Sequence, residues 1–278
     1  MKKTINDIKN AHQPVICLTA YTAPIAKAAD AHCDLLLVGD SVAMVLYGDD
    51  TTQSADMDMM IRHGKAVAKS AERAVVIVDM PFGSYEASKD QALKNVQRIM
   101  NETKCSGVKL EGGQDLAETI AHLTSNNIPV MAHVGLLPQS VASPDGFRVQ
   151  GKDLNAAKQI IKDAKAVEVA GAFCVVVEAV PEPLAAAITA AVNIPTIGIG
   201  ASAVCDGQIL VTEDMLGFGT RKPPKFVKQY MKAHEAMSHA IELYATEVKN
   251  RAFPAPAHTY CNDCELPEEL DLYKEKSA

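Results

Sequence analysis

The ionisable residues with the most chemical promise in this chain stand at the ends of apolar runs: Asp40 and Ser41 after "DLLLVG", Asp79 after "AVVIV", Lys109 and Glu111 in "GVKLEG", His133 in "PVMAHVGL", and Glu178 after "AFCVVV". Asp40, Asp79 and Glu111 could share a hard divalent ion, because oxygen donors without a Cys/His cluster favour Mg²⁺ over zinc. Mg²⁺ typically takes one or two carboxylates and leaves positions for substrate oxygens, which suits a chelating 2-oxo acid. Lys109 lies two residues before Glu111, hence on the same side of an extended strand, and could set a fixed positive charge against a substrate carboxylate or enolate. Its bland alternative is a barrel-interior ion pair. Glu178 ends an apolar run with no second acid or His close behind it, and a carboxylate in apolar surroundings gains the basicity a general base needs. His133 reads either as a substrate-side group or as a hydrogen-bonded core histidine.

Any one of these acids could be an ordinary helix cap after a strand. Acids that converge on one mouth are harder to dismiss, since they repel one another and raise one another's pKa unless a cation or a task justifies them. Convergence requires a particular scaffold. Eight apolar runs supply it, at 15–20, 34–40, 74–80, 107–112, 129–136, 172–180, 195–201 and 207–214. Most are apolar nearly throughout, as strands of a parallel sheet buried on both faces are. Helical patterns at 88–104, 115–126 and 153–171 separate them. Repeated βα units on this scale predict a (β/α)8 barrel, whose active sites form at the C-terminal ends of the strands. The segment 224–250, with Phe226, Tyr230, Met237, Ile241, Tyr244 and Val248 on one face, is expected to be the last barrel helix. Residues 1–258 then form one catalytic domain, and 259–278 an acidic C-terminal tail on the surface.

Composition removes several function classes. The chain is 48% hydrophobic and 22% charged, with a net charge of -7, so it lacks the basic excess of a nucleic-acid binder. No run reaches membrane-span length and the first residues are charged, so a cytoplasmic protein with no membrane partner is expected. Seven cysteines, several inside apolar runs, fit reduced thiols. "GIGASA" at 198–203 lacks a third glycine for a dinucleotide fingerprint, and neither a P-loop nor a GxSxG elbow occurs. His258, Cys261 and Cys264 offer at most half a zinc site.

With their surroundings, these residues resemble the ketopantoate (3-methyl-2-oxobutanoate) hydroxymethyltransferase family. The likeness runs in order through "LTAYTAPIAK", "LLVGDSVAMVLYG", "VDMPFGSYE", "GVKLEGG", "AHVGLLPQSV", "VQGK", "VVEAVP", "IPTIGIGA" and "DGQILV". It implies a Mg²⁺-dependent TIM-barrel enzyme of pantothenate synthesis, a homo-oligomer and typically a decamer. Such an enzyme moves a hydroxymethyl group from 5,10-methylenetetrahydrofolate to 3-methyl-2-oxobutanoate, giving 2-dehydropantoate. Carried over by motif, Asp40 and Asp79 would bind Mg²⁺ and Glu111 would complete or support the shell. Asp40, Ser41, Asp79 and Lys109 would contact the oxo acid, with Glu178 as proton acceptor. The chain departs from the family pattern at Ala43 and Ser202, where glycine is common, and at Glu213, where His or another neutral residue often stands. The segment 136–152 is a candidate lid over the folate. Two alternatives carry different chemistry: a Mg²⁺-dependent carbon–carbon lyase or mutase acting on an oxo acid, and a barrel that only binds metabolites.

Overall fold

Burial on both faces is what the continuous apolar runs require, and a closed sheet provides it. The computed structural model describes residues 2–143, 146–220 and 222–260. Its eight strands are β1 (Val15–Thr19), β2 (Leu35–Val38), β3 (Val75–Asp79), β4 (Gly107–Glu111), β5 (Val130–Gly135), β6 (Cys174–Glu178), β7 (Thr196–Ile199) and β8 (Gly207–Leu210). All neighbours pair in parallel, and β1 pairs β8 to close the barrel. The helices are α1 (Ile5–Lys9), α2 (Ala23–Asp30), α3 (Val42–Val45), α4 (Met57–Ser70), α5 (Lys89–Thr103), α6 (Ala117–Ser125), α7 (Leu154–Val169), α8 (Glu182–Ala191), α9 (Thr212–Leu216) and α10 (Ala233–Lys249). Every expected strand is present, within the expected bounds and shorter. The last four residues of the 207–214 run leave β8, and Thr212 opens α9.

Alternation along each strand sorts the core in two. Val15, Cys17, Leu35, Leu37, Val75, Ile77, Met131, Cys174, Val176, Ile197 and Ile209 form one buried cluster, with Ile8 of α1 packed into it. Leu36, Val38, Val76, Val78, Val108, Leu110, Ala132 and Val175 form the other, packed with helix residues such as Met60, Val96, Ile120 and Ala164. Helix starts follow ordinary chemistry: Asp56 caps α4, Ser88 caps α5 and Asp153 caps α7 through backbone N–H groups of the first turn. On β1 and β8 the pattern differs, because Ile16 and Gln208 are exposed.

The described residues divide into two compact units, the first ending at Met231 and the second beginning at Lys232. The expected helix over 224–250 is corrected to Ala233–Lys249, as residues 224–232 precede it without helix. Its apolar residues Met237, Ile241, Tyr244 and Val248 are exposed, so periodicity identified a helix but not what covers it. Cys261, Cys264 and most of the expected tail lie outside the described residues.

Candidate active site

Parity along the strands builds the site. In β3, Val75 and Ile77 point inward, so Asp79 does too; in β6, Cys174 and Val176 are followed by Glu178. Lys109 and Glu111 on β4 and His133 on β5 share that interior; Asp79, Glu111 and Glu178 are the last residues of their strands, and Lys109 and His133 stand two residues before the ends of theirs. Apart from Glu178, whose side chain is 14% exposed, they are fully buried.

These side chains form a row across four strands. Lys109 Nζ donates to Asp79 Oδ1 at 2.8 Å and lies 3.5 Å from Glu111 Oε1. Glu111 Oε1 is 3.3 Å from His133 Nδ1, and His133 Nε2 is 3.2 Å from Glu178 Oε2. Neither ring nitrogen makes an aligned hydrogen bond, so these last two are charge contacts. Burial opposes a charge on His133, but Glu111 and Glu178 outweigh it and raise the imidazole to about 9. Burial likewise opposes a charge on Glu111, and Lys109 and His133 overcome it, lowering the carboxyl to about 2. Burial works against Lys109 as well, yet Asp79, Glu111 and Asp40 hold it cationic. Glu178 is therefore not in wholly apolar surroundings, because the His133 ring faces it.

Asp40 enters from the turn after β2. Its backbone N–H donates to Asp79 Oδ2 at 3.1 Å, and Gly39 before it has no side chain because a Cβ there would sit 2.9 Å from Ser41 Oγ. Burial, then the charges of Asp79 and Glu111, push the Asp40 carboxyl well above its ordinary range, and burial also raises Asp79 against the pull of Lys109. Two adjacent buried acids that each resist ionisation are donor chemistry suited to a divalent cation, which would hold both ionised. Among the described residues no three His, Cys, Asp or Glu side chains stand as a ready metal-ligand group. A cation would thus draw on one or two carboxylates and fill its shell with water and substrate oxygens, the habit of Mg²⁺. Asp40 and Asp79 fit that part. Glu111 is engaged elsewhere, by Lys109, His133 and the backbone N–H of Gln139 at 3.0 Å.

Neutral residues complete the arrangement, and the sequence did not single them out. Gln139 is buried in the short turn Pro138–Ser140 after β5; its Nε2 donates to Asp40 Oδ2 and to the Met80 carbonyl, each at 2.8 Å. Its Oε1 accepts from the Tyr85 hydroxyl, which also lies 3.3 Å from the Glu111 backbone. The start of the 136–152 segment is therefore pinned to the site's carboxylates instead of lying free above them. Tyr21, after β1, places its hydroxyl 2.8 Å from Ser41 Oγ. Behind Glu178, Ala179 adopts φ 47°, a left-handed conformation costly for alanine, held by its N–H to the Ile199 carbonyl and by the Gln150 N–H to its own carbonyl, both at 2.9 Å.

A family model for ketopantoate hydroxymethyltransferase matches residues 1–256. The chain belongs to the ketopantoate hydroxymethyltransferase family. It is 56% identical over 247 residues to the 3-methyl-2-oxobutanoate hydroxymethyltransferase of Chelativorans sp., covering 89% of this chain and 88% of that protein. It is 54% identical over 259 residues to the enzyme of the same name from Paramagnetospirillum magneticum, covering 92% and 94%. The family is one of transferase enzymes, and this hydroxymethyltransferase is an enzyme on that ground, not a binding module. Among solved structures, phosphonopyruvate hydrolase in complex with oxalate and Mg²⁺ aligns with TM-score 0.60 at 13% identity, over 92% of this chain and 93% of that one. A 2,3-dimethylmalate lyase aligns with TM-score 0.56 at 12% identity, over 90% and 96%. These two share the fold with the hydroxymethyltransferase. No helix among the described residues is long and apolar enough to cross a membrane.

The departures have ordinary places in the structure. Ala43 is buried in α3. Ser202 caps its own turn, accepting from the Val204 N–H and donating to Glu182 Oε1, each at 3.2 Å. Glu213 is buried in the first turn of α9, and its Oε2 has no hydrogen-bond partner.

Proposed function

We propose that the enzyme transfers a hydroxymethyl group from 5,10-methylenetetrahydrofolate to 3-methyl-2-oxobutanoate, giving 2-dehydropantoate, and that Mg²⁺ takes part. The observation that carries this reading is the row Asp79–Lys109–Glu111–His133–Glu178 beside Asp40, in a chain more than half identical to enzymes bearing that activity's name. Taking a proton from carbon 3 of an oxo acid with a carboxylate base faces a pKa gap on the order of ten units, about 14 kcal/mol at 1.36 per unit. No shift of the base alone closes that gap, so charge must be stabilised where it develops. When bound, Mg²⁺ supplies Lewis acidity toward the keto and carboxylate oxygens of the substrate.

The protein does the rest. Asp40 and Asp79 would hold the ion, with Glu111 behind them keeping Lys109 and Gln139 in place. Lys109, fixed as a cation, lies against the oxygen side of the oxo acid, and Ser41 donates to its carboxylate. Glu178 accepts the carbon-3 proton, aimed by the left-handed Ala179 and steadied by His133, whose role we read as orientation of the base as well as substrate contact. Water adds to the methylene carbon of 5,10-methylenetetrahydrofolate, and its two carbon–nitrogen bonds break to release tetrahydrofolate. The carbon-3 nucleophile bonds to the one-carbon unit so freed at the oxidation level of formaldehyde, the new alkoxide taking up the proton that left carbon 3. By family analogy the enzyme works in the cytoplasm as a homo-oligomer of decamer size, with residues 1–258 as its catalytic domain.

The test is product analysis with oxo acid, methylenetetrahydrofolate and Mg²⁺ omitted singly. Dehydropantoate should form only in the complete mixture. Cleavage of an oxo acid without the folate would overturn the reading in favour of a lyase.

A further inference from the structure

Gln139 meets two of the site's acids at once, although it carries no charge and enters none of the steps above. Its backbone N–H donates to Glu111 Oε2 at 3.0 Å, and its side-chain Nε2 donates to Asp40 Oδ2 at 2.8 Å. The residue is only 3% exposed. Its amide has a fixed orientation: the second Nε2 hydrogen goes to the Met80 carbonyl at 2.8 Å, and a carbonyl only accepts, so the nitrogen lies on that side. Oε1 then faces the Tyr85 hydroxyl, which donates to it while taking the Glu111 backbone N–H at 3.3 Å. From another direction, Gln53 Nε2 donates to the Gln139 carbonyl at 2.8 Å. Turning the amide away would forfeit its bonds to Asp40, Met80 and Tyr85 together, and each partner so stranded is buried.

That rigidity decides how Asp40 meets a cation. With Oδ2 taken by Gln139, the carboxylate has Oδ1 left to offer. Asp79 is restricted in the same way, since its Oδ1 accepts from Lys109 Nζ at 2.8 Å and its Oδ2 from the Asp40 backbone N–H at 3.1 Å. Neither acid turns both oxygens to one ion without giving up a bond already made. The consequence differs between cations. Ca²⁺ takes more oxygens than Mg²⁺ and accepts a carboxylate by one oxygen or by both, whereas the strict octahedron of Mg²⁺ suits single oxygens and retained waters.

We propose that Gln139 is a specificity-determining residue of the metal site: by occupying Asp40 Oδ2 it limits Asp40 to one metal-facing oxygen, and so favours Mg²⁺ over Ca²⁺. This rests on the reading that Asp40 and Asp79 hold the cation.

The test needs no turnover. Mg²⁺ and Ca²⁺ are titrated separately into the full-length, metal-free protein by calorimetry, in one series alone and in a second with 3-methyl-2-oxobutanoate present. The wild type should bind Mg²⁺ more tightly than Ca²⁺. Q139M is close in size but has no donor, so Asp40 regains its second oxygen. Its Kd for Ca²⁺, divided by its Kd for Mg²⁺, should fall about tenfold below the wild-type ratio, the scale of one hydrogen bond to a charged group. Q53A breaks only the bond to the Gln139 carbonyl and should keep the wild-type ratio. An unchanged ratio in folded Q139M overturns the proposal. So does a Q53A shift as large as that of Q139M, because loosening of the turn, not loss of the donor, would then set the selectivity.

Infrared difference spectra of the wild type, metal-loaded minus metal-free, decide the point even if Q139M does not fold. A separation of the antisymmetric and symmetric carboxylate stretches wider than in an ionic carboxylate marks coordination by one oxygen, and is expected with both ions. A narrower separation marks a grip by both oxygens and overturns the proposal. If the wild type binds neither ion in either series, the metal reading itself fails and the proposal with it, an outcome distinct from a Mg²⁺-binding wild type with unchanged selectivity in Q139M.

Discussion

The two sides of the barrel mouth handle buried charge in opposite ways. From β3 to β6, every ionisable side chain of the row has a partner of the opposite type within 3.5 Å: Asp79 has Lys109, Lys109 has Glu111, Glu111 has His133, and His133 has Glu178. From β8 to β1, Glu213 has a buried oxygen with no hydrogen-bond partner, and its acidic neighbour Asp214 repels it instead of pairing with it. A fully paired row is rigid and costly to break; an unpaired acid is costly to keep and easily titrated. One side holds its buried groups in fixed pairs, and the other leaves a buried acid without one.

Breaking the paired side should have the largest effect. Lys109→Met strands the Asp79 and Glu111 carboxylates without their shared cation, and removal of one member of a buried pair typically costs about 3–5 kcal/mol. Urea denaturation of the variant should show that loss, with turnover falling alongside. A variant as stable as the wild type would mean that the row is not paired as described.

Relieving the unpaired side should do the reverse, and with pH dependence. A carboxyl raised from 4.5 to about 7 in the folded state makes the protein less stable as pH rises above 4.5, and the penalty is complete once pH passes about 7. At 1.36 kcal/mol per unit the ceiling is about 3 kcal/mol. Glu213→Gln should therefore be more stable than wild type at pH 8 by up to that amount and no more stable at pH 4, as thermal melts at the two values would reveal.

Gln139 sharpens the comparison on the paired side, because it satisfies charges without carrying one. Gln139→Ala removes donors from Asp40 and the Met80 carbonyl and an acceptor from Tyr85. A loss of about 1–3 kcal/mol in denaturation is expected, with a higher Mg²⁺ concentration needed for half-maximal activity. The smallest effect concerns Ala179. Its left-handed backbone suits glycine, so Ala179→Gly should leave stability within about 1 kcal/mol of wild type or raise it. A loss of several kcal/mol would show that the methyl group, and not the backbone turn, matters there.

The strand ends were legible because two independent patterns coincide in them. A run such as "AVVIVD" marks a strand buried on both faces, and the acid that ends it has nowhere to go but the mouth. Asp40, Asp79, Lys109, Glu111, His133 and Glu178 were found that way. What stayed hidden were links between strands. Gln139 reaches Asp40 across 99 residues, and nothing in "LLPQS" distinguishes a buried glutamine from an ordinary turn. The contact of His133 with Glu178 depends on two separate strands lying side by side, so Glu178 read alone looked isolated. Tyr21 in "LTAYTAP" was visible as part of the family likeness, but its bond to Ser41 needed the turns after β1 and β2 to meet. The start of α10 was misread because apolar spacing continues through 224–232 where the backbone is not helical.

The central claim, that Glu178 takes the carbon-3 proton in a field set by the paired row, is tested most directly by hydrogen exchange. In D₂O with Mg²⁺ and no folate, the wild type should exchange the carbon-3 hydrogen of 3-methyl-2-oxobutanoate, followed by NMR. Glu178→Gln should bind the oxo acid with similar affinity and lose exchange by about 10²–10⁴-fold. Exchange at the wild-type rate in Glu178→Gln would contradict the account.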